Sequence, residues 1–448
     1  MTSIQRPRGT RDFLPAEMER RRHIEKLLRD AAERWGFREI STPTFEEERL
    51  FIERSGEGIV EELYSFEDKG GRRLALRPEF TAAVMRVYAT EMKNWPKPIK
   101  LYYFGNAFRY ERPQSGRYRE FWQFGVETIG CATPLATGES IALAMKMVSA
   151  AGVKEPVLRV GHVGILKKII SSLGLPEEKQ REAMRALDKG DRENFEEVVS
   201  ASEKPLSEML IEYMEARYDL GRAKAVLKTM SGDTALTQKN IDDDVGHLEN
   251  TIRVAESLGC KNISVDLGIA RGLDYYTGVV FEIDAPSLGA EKQVCGGGEY
   301  ELGTLFGLQP VDSVGFALGF DRLVLASEVD VEEKALDFFV IDLSKTEKTR
   351  STALEILLFL REHGCRADID LMERGASKAL KYASSRGTKW AILVGERDIE
   401  KGVVTLRDMK TGEQKEMPAP GKASGPEEED SWVSGWLNFL KQVVISIW

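Results

Sequence analysis

Arginines and hydrogen-bond acceptors, not nucleophiles, mark the stretches of this chain that could do chemistry. Residues 100–130 read KLYYFGNAFRYERPQSGRYREFWQFGVETIG. Arg109, Arg112, Arg117 and Arg119 crowd a segment broken by Pro113 and Gly116. Runs rich in aromatic and β-branched residues, 101–110 and 121–129, flank that segment and give a hairpin pattern. Strand alternation puts Arg109 and Glu111 on one face of the first run, and Phe121, Gln123, Gly125 and Glu127 on one face of the second. Such a face is a poor core. It suits the floor of a polar pocket, with fixed cations for a polyphosphate and Phe121 exposed for a base to stack on. Taken alone, the same residues also suit a solvated, salt-bridged hairpin.

Three other stretches share this character. In RRLALRPEFTAAVM, Leu74 and Leu76 alternate as in a strand, Pro78 starts a helix, and Glu79 and Thr81 stand at the junction, where they could cap the helix or line a site. In ISVDLGIARGLDYYTGVVFEI, Arg271, Gly272, Asp274, Tyr275 and Tyr276 arrive together before a strand at 279–283. Gly296, Gly297 and Gly298 are followed by no Lys-Ser or Lys-Thr pair and so form no P-loop; they let backbone pass close beside a ligand or a neighbouring strand. Arg322 follows in VGFALGFDRL, a turn into a helix.

Together these stretches supply Arg109, Arg112, Arg117, Arg271 and Arg322, with Glu79, Gln123 and Glu127 as acceptors, and tyrosines between them. No Ser-His or Cys-His pairing is evident. The set suits phosphoryl or nucleotidyl transfer, where the protein positions reactants and stabilises charge growing on phosphate. A carboxylate substrate attacking the α-phosphate of ATP needs cations there and no protein nucleophile.

The elements that must position these residues follow from period and punctuation. A helix spans 16–35, with Ile24, Leu27, Leu28, Ala31 and Trp35 on one face and Gly36 as a stop. A strand at 37–41 is cut short by Pro43, and a second helix covers 46–54. Residues 134–151 are helical and 157–162 form a strand. Residues 164–260 are charged, leucine-spaced and broken at Pro176, Gly190, Pro205 and Gly221, which reads as a helical insertion. Beyond the link VDVEEKA, strands at 338–342, 366–370, 390–394 and 403–407 alternate with helices at 346–363 and 377–385, a compact α/β unit. From 418 the chain is polar and then aromatic, at loosely helical spacing.

Composition sets the limits. The chain has 448 residues, 42% hydrophobic and 30% charged, enough for two or three domains. No run of about 18 apolar residues is present to cross a membrane, and the first residues lack a signal-peptide segment, so the expected address is cytoplasmic. Cys131, Cys260, Cys295 and Cys365 form no CxxC pair, and His23, His162, His247 and His363 are scattered, which makes a nitrogen and sulfur metal site an unpromising expectation. A net charge of −10 argues against indiscriminate coating of nucleic acid but leaves room for a local basic patch.

RYERPQSGRYREFWQFGVE, ARGLDYYTGVVFEI and GFALGFDRL resemble the signatures of the histidyl-tRNA synthetases, a family of class II aminoacyl-tRNA synthetases. RGLDYYTG is similar to a stretch particular to that family, whereas the hairpin and the Gly-x-Gly-x-x-Arg belong to the whole class. The resemblance implies an α+β fold: a class II synthetase-like antiparallel sheet core with flanking helices, a helical insertion and a C-terminal α/β anticodon-binding domain. The expected divisions are 1–163 and 261–328 for the core, 164–260 for the insertion, 336–417 for the anticodon-binding domain and 418–448 for a tail outside the resemblance. It implies that Arg109 holds the α-phosphate opposite Arg271, Glu111 reads the adenine amino group, Phe121 stacks on the base, and Arg117 and Arg322 hold the distal phosphates. Glu79, Thr81, Gln123, Glu127, Arg271, Tyr276 and Tyr300 match the family's histidine pocket. Magnesium would accompany ATP without protein ligands, and the implied partners are ATP, L-histidine, tRNA(His) and a second copy in a homodimer.

The chain departs from the family pattern at Phe80, where glycine is usual, and at Glu299 and Glu301, where arginine and aspartate are usual. The first would narrow the pocket entrance; the second bears on Tyr300. Two other readings stand beside the first. A catalytically silent relative, such as the regulatory subunit of ATP phosphoribosyltransferase, resembles the core but lacks the anticodon domain and commonly loses the phosphate arginines. A sister class II synthetase for threonine, proline or glycine shares the hairpin and terminal domain but would not supply RGLDYYTG.

Overall fold

The computed structural model describes residues 4–55, 60–111, 117–202, 205–214, 216–232, 239–269, 275–331, 334–420 and 426–443. Arg112 and Arg271 lie outside the described residues, as do Gly272 and Asp274. The chain forms two compact units, Met1–Val331 and Glu332–Trp448.

In the first unit, nine described strands make one sheet. The order across it is Arg38–Glu39, Ile99–Phe108, Glu120–Ile129, Asp312–Gly319, Gln293–Glu301, Tyr276–Asp284, Val157–His162, Ser264–Asp266 and Arg217–Tyr218. Its central pairings are antiparallel, and parallel pairs occur only near the edges, where Arg38–Glu39 meets Ile99–Phe108 and Val157–His162 meets Ser264–Asp266. The expected hairpin is present, with Ala107 paired to Phe121 and Tyr103 to Gly125.

Alternation sorts the two faces. Tyr102, Phe104, Phe124 and Val126 pack on the helical side, against Ile24, Leu28 and Ala32 of helix Pro15–Arg34 and against helix Pro134–Ala150. Tyr103, Gln123 and Glu127 face the other way. Burial of the apolar side fixes the register, since a slip of one residue would turn Glu127 into the core. The described residues between 163 and 257 are largely helical, as read from the sequence, and share that core: Leu166, Phe195, Leu227 and Ile252 belong to the same buried cluster as Phe124. The short strand Arg217–Tyr218 also extends the sheet edge.

Two local expectations change. Glu46 and Glu47 lie in strand Phe45–Glu47, not a helix, because Phe45 and Glu47 pair with Leu76 and Leu74; the helix begins at Arg49. Pro78 does not start its helix either. That helix is Thr81–Val87, and the Glu79 carboxylate accepts the backbone N–H groups of Thr81 (2.6 Å) and Ala82 (3.0 Å), which fixes the start.

The second unit is a five-stranded mixed sheet in the order Ala367–Ile369, Phe338–Asp342, Trp390–Val394, Val403–Asp408 and Gln414–Pro418. Helix Glu347–Glu362 packs on it. The stretch beyond 418 carries helix Pro426–Val443, whose Trp432, Trp436, Phe439 and Leu440 are buried with Phe338, Phe359 and Met417. The Trp436 indole N–H donates to the Pro418 carbonyl at 2.9 Å, so this segment completes the core of its unit.

Candidate active site

A cleft on the polar face of the central sheet is built from five separated segments. Helix start Thr81–Val87 brings Glu79 and Thr81, the hairpin brings Tyr103, Arg109, Gln123 and Glu127, strand Asp312–Gly319 brings Gly315, and the two strands beyond it, Gln293–Glu301 and Tyr276–Asp284, bring Tyr300 and Tyr276. Tyr276 and Tyr300 are register partners, so a single strand pairing delivers both rings.

Glu127 lies at its base, 1% exposed. The hydroxyls of Thr81 (2.7 Å) and Tyr103 (3.4 Å) donate to its Oε1, and that of Tyr300 (2.7 Å) to its Oε2. Opposite stands Gly315, where an added Cβ would lie 1.9 Å from Glu127 Oε2. Only a glycine leaves room for this carboxylate. Burial holds the Tyr103 phenol well above its ordinary value, with the charges of Glu127 and Glu79 adding to the effect, so this hydroxyl keeps its proton and donates. Gln123 lines the same cleft, and its Oε1 is buried with no hydrogen-bond partner among the described residues. A buried acceptor without a donor is costly unless a ligand supplies one.

Arg109 connects this cleft to a second cluster. Its Nε donates to the Pro78 carbonyl at 3.0 Å, its guanidinium lies 5.4 Å from the centre of the Phe121 ring, and its Nη1 is 3.9 Å from Glu111. Arg117 Nε is 3.4 Å from the same carboxylate. Arg109, Glu111, Arg117 and Phe121 are thus linked through direct contacts. Arg322 sits in helix Phe320–Ala326, directly after Gly319, which pairs with Gln123, and its Nη1 donates to the Gln293 carbonyl at 3.0 Å. The cleft lining around Glu127 does not include Glu111, Arg117, Phe121 or Arg322.

This geometry separates a hydrogen-bonding cleft from an adjoining cationic and aromatic strip, joined at Arg109. It can hold a small polar molecule beside a phosphorylated one. The sequence matches the family model described as Histidyl-tRNA synthetase over residues 9–323. This chain belongs to the histidyl-tRNA synthetase family. A second family model, Anticodon binding domain, matches residues 337–420.

Relatives in the histidyl-tRNA synthetase family extend along most of the chain. The histidine–tRNA ligase of Archaeoglobus fulgidus is 47% identical over 414 residues, 92% of this chain and 96% of that protein. The apo crystal structure of S. aureus histidyl-tRNA synthetase is 31% identical, with a TM-score of 0.69, covering 93% of this chain and 97% of that one. A Bacillus halodurans crystal structure, described as an ATP phosphoribosyltransferase regulatory subunit/histidyl-tRNA synthetase, is 26% identical with a TM-score of 0.71, covering 87% of this chain and 98% of that one.

Six residues of the cleft were not among the expected site residues: Tyr103, Tyr275, Gly296, Gly315, Phe316 and Ala317. The alternation that aimed Arg109 at the pocket face also aims Tyr103 there, so that signal was available. Phe80 does not narrow the pocket. It is 2% exposed and stacks on Tyr103 with ring centres 4.4 Å apart, while the Arg77 guanidinium covers it at 4.0 Å. Gly297 allows close approach of the neighbouring strand, an added Cβ lying 2.4 Å from the Gly315 carbonyl oxygen, whereas Gly296 lines the cleft.

Proposed function

We infer that this chain activates L-histidine with ATP to give histidyl-adenylate and pyrophosphate, then transfers the histidyl group to the terminal ribose of tRNA(His). The observation that carries this reading is the presence in one cleft of Glu127, buried among three hydroxyls, and of the Gln123 Oε1, buried without a hydrogen-bond partner among the described residues. Glu127 faces the imidazole N–H, and Gln123 and Glu79 face the ammonium. The naming of the relatives as histidine–tRNA ligases supports the choice of amino acid.

In this reading the histidine carboxylate oxygen attacks the α-phosphorus in line, an O–P bond forms, and the bond to the bridging oxygen breaks with its electron pair leaving on pyrophosphate. Arg109 and Arg271 flank the α-phosphate and neutralise charge as it grows; a guanidinium stays protonated at any working pH. Phe121 stacks on adenine, Glu111 accepts from its amino group, and Arg117 and Arg322 hold the distal phosphates. Magnesium arrives with ATP as part of the substrate, with the phosphates and water as its ligands. The second unit reads the anticodon, the chain works as a homodimer, and its place is the cytoplasm.

The regulatory alternative is disfavoured by retention of Arg109, Arg117, Arg271 and Arg322 together with the Anticodon binding domain match. Amino-acid-dependent exchange between ATP and pyrophosphate tests the reading. Stimulation by histidine alone is expected; stimulation by another amino acid, or none, would refute it.

A further inference from the structure

His247 reaches the sheet from the face opposite the cleft. It lies on helix Lys239–Ser257 with Nε2 2.7 Å from Glu299 Oε1. The same oxygen accepts from Thr137 Oγ1 at 2.5 Å, and Glu299 Oε2 accepts the Val279 backbone N–H at 3.0 Å. Glu299 is 5% exposed, and its neighbour Tyr300 points the other way, onto Glu127. Val279 belongs to strand Tyr276–Asp284, which begins with the other pocket tyrosine. One carboxylate therefore ties helices Pro134–Ala150 and Lys239–Ser257 to both strands that deliver rings to the cleft.

We propose that His247, acting through Glu299, is a positioning residue for the amino-acid pocket: its imidazolium holds the strand pair that carries Tyr276 and Tyr300, and so sets affinity for histidine more than the rate of adenylate formation. The proposal rests on the reading of the cleft as a histidine pocket. Its physical basis is that a buried carboxylate is held firmly by a charge-assisted hydrogen bond and loosely without one. The ionisable groups around His247 are Glu299 in front, Asp244 on its own helix, paired with Lys168 at 2.7 Å, and the His162 ring edge-on at 6.1 Å. The hydrogen bond to Glu299 raises the His247 pKa against the opposing effect of burial, while burial lowers that of His162. Of the two rings, His247 therefore keeps its charge to the higher pH, and loses it as pH rises through its raised pKa.

The test is exchange between ATP and pyrophosphate by the full chain, titrated with histidine from about pH 6 to 9, for wild type and His247→Gln. Because the substrate titrates as well, the informative quantity is the ratio of the two KM values at each pH. The expected ratio is about tenfold at the acidic end and falls towards one at the alkaline end, with kcat altered by less than about twofold. A ratio independent of pH, or a change confined to kcat or to melting temperature, would overturn the proposal. Glu299→Gln provides a second measurement should the first variant not fold: it too should raise KM at acidic pH, with kcat preserved, and unchanged KM there would count against the proposal. Absence of histidine-dependent exchange by the wild-type chain would remove both the pocket reading and the proposal, and so is distinct from failure of the positioning role alone.

Discussion

Glu127 and Glu299 are two buried carboxylates on opposite faces of one sheet, housed by the same device. Each stands against a glycine of a neighbouring strand, Gly315 for one and Gly278 for the other, where an added Cβ would lie 1.9 Å from a carboxylate oxygen. Each accepts from a threonine hydroxyl on a helix, Thr81 and Thr137 respectively. They differ in surroundings: Glu299 already faces an imidazole, His247, while Glu127 lines an accessible cleft beside Gln123. The comparison teaches that one solution for holding a carboxylate in a sheet serves structure on one side and, in the proposed reading, recognition of a free imidazole on the other.

The largest expected effect tests the recognition side. Glu127→Ala should lower kcat/KM for histidine by about 10³-fold, because polar recognition of this kind carries large discrimination, whereas an exchange rate within tenfold of wild type would break the analogy with Glu299. Next, Arg271→Ala should slow adenylate formation by roughly two orders of magnitude while histidine binding stays within a few-fold, since a charge used in the transition state contributes little to the ground state. Equal losses in binding and rate, measured by single-turnover and equilibrium titration, would contradict the role given to that residue.

A matched glycine pair sharpens the comparison further. Gly315→Ala and Gly278→Ala should each destabilise the first unit by about 1–3 kcal/mol through overpacking. The former should also abolish most histidine-dependent exchange. Chemical denaturation with parallel activity assays separates the two. The smallest effect concerns pH. Because His247 has a raised pKa in the folded chain, its stabilising contribution is complete below about pH 6.5 and is lost as pH rises through the raised value. His162, lowered by burial, works in the opposite sense and costs stability as pH falls from about 6.5 towards its depressed value. His247→Gln should flatten the alkaline limb of a melting-temperature profile and leave the acidic limb, whereas His162→Gln should do the reverse.

Much of the cleft was legible because strand alternation is strict. Placing Gln123 and Glu127 on one face needed only the parity of their numbers and the oddity of such a face as core. RGLDYYTG and the hairpin arginines added the family. Glu299 with His247 was not legible, since 52 positions separate them and nothing local on helix Lys239–Ser257 marks His247 as facing a carboxylate. The strand at 45–47 was missed because its glutamates favour a helix, and pairing with Leu74 and Leu76 overrides that preference. Phe80 was misplaced because sequence shows the size of a side chain but not which side of Tyr103 it occupies.

The helix Pro426–Val443 has a practical consequence for anyone dividing this chain. The Anticodon binding domain match stops at residue 420, so a fragment cut there would follow the boundary drawn by family resemblance. It would also strip four aromatic and aliphatic plugs, Trp432, Trp436, Phe439 and Leu440, from a wall that includes Phe338 and Phe359. Such a fragment should aggregate where one extended to residue 443 stays dispersed, because uncovered apolar surface of that size drives self-association.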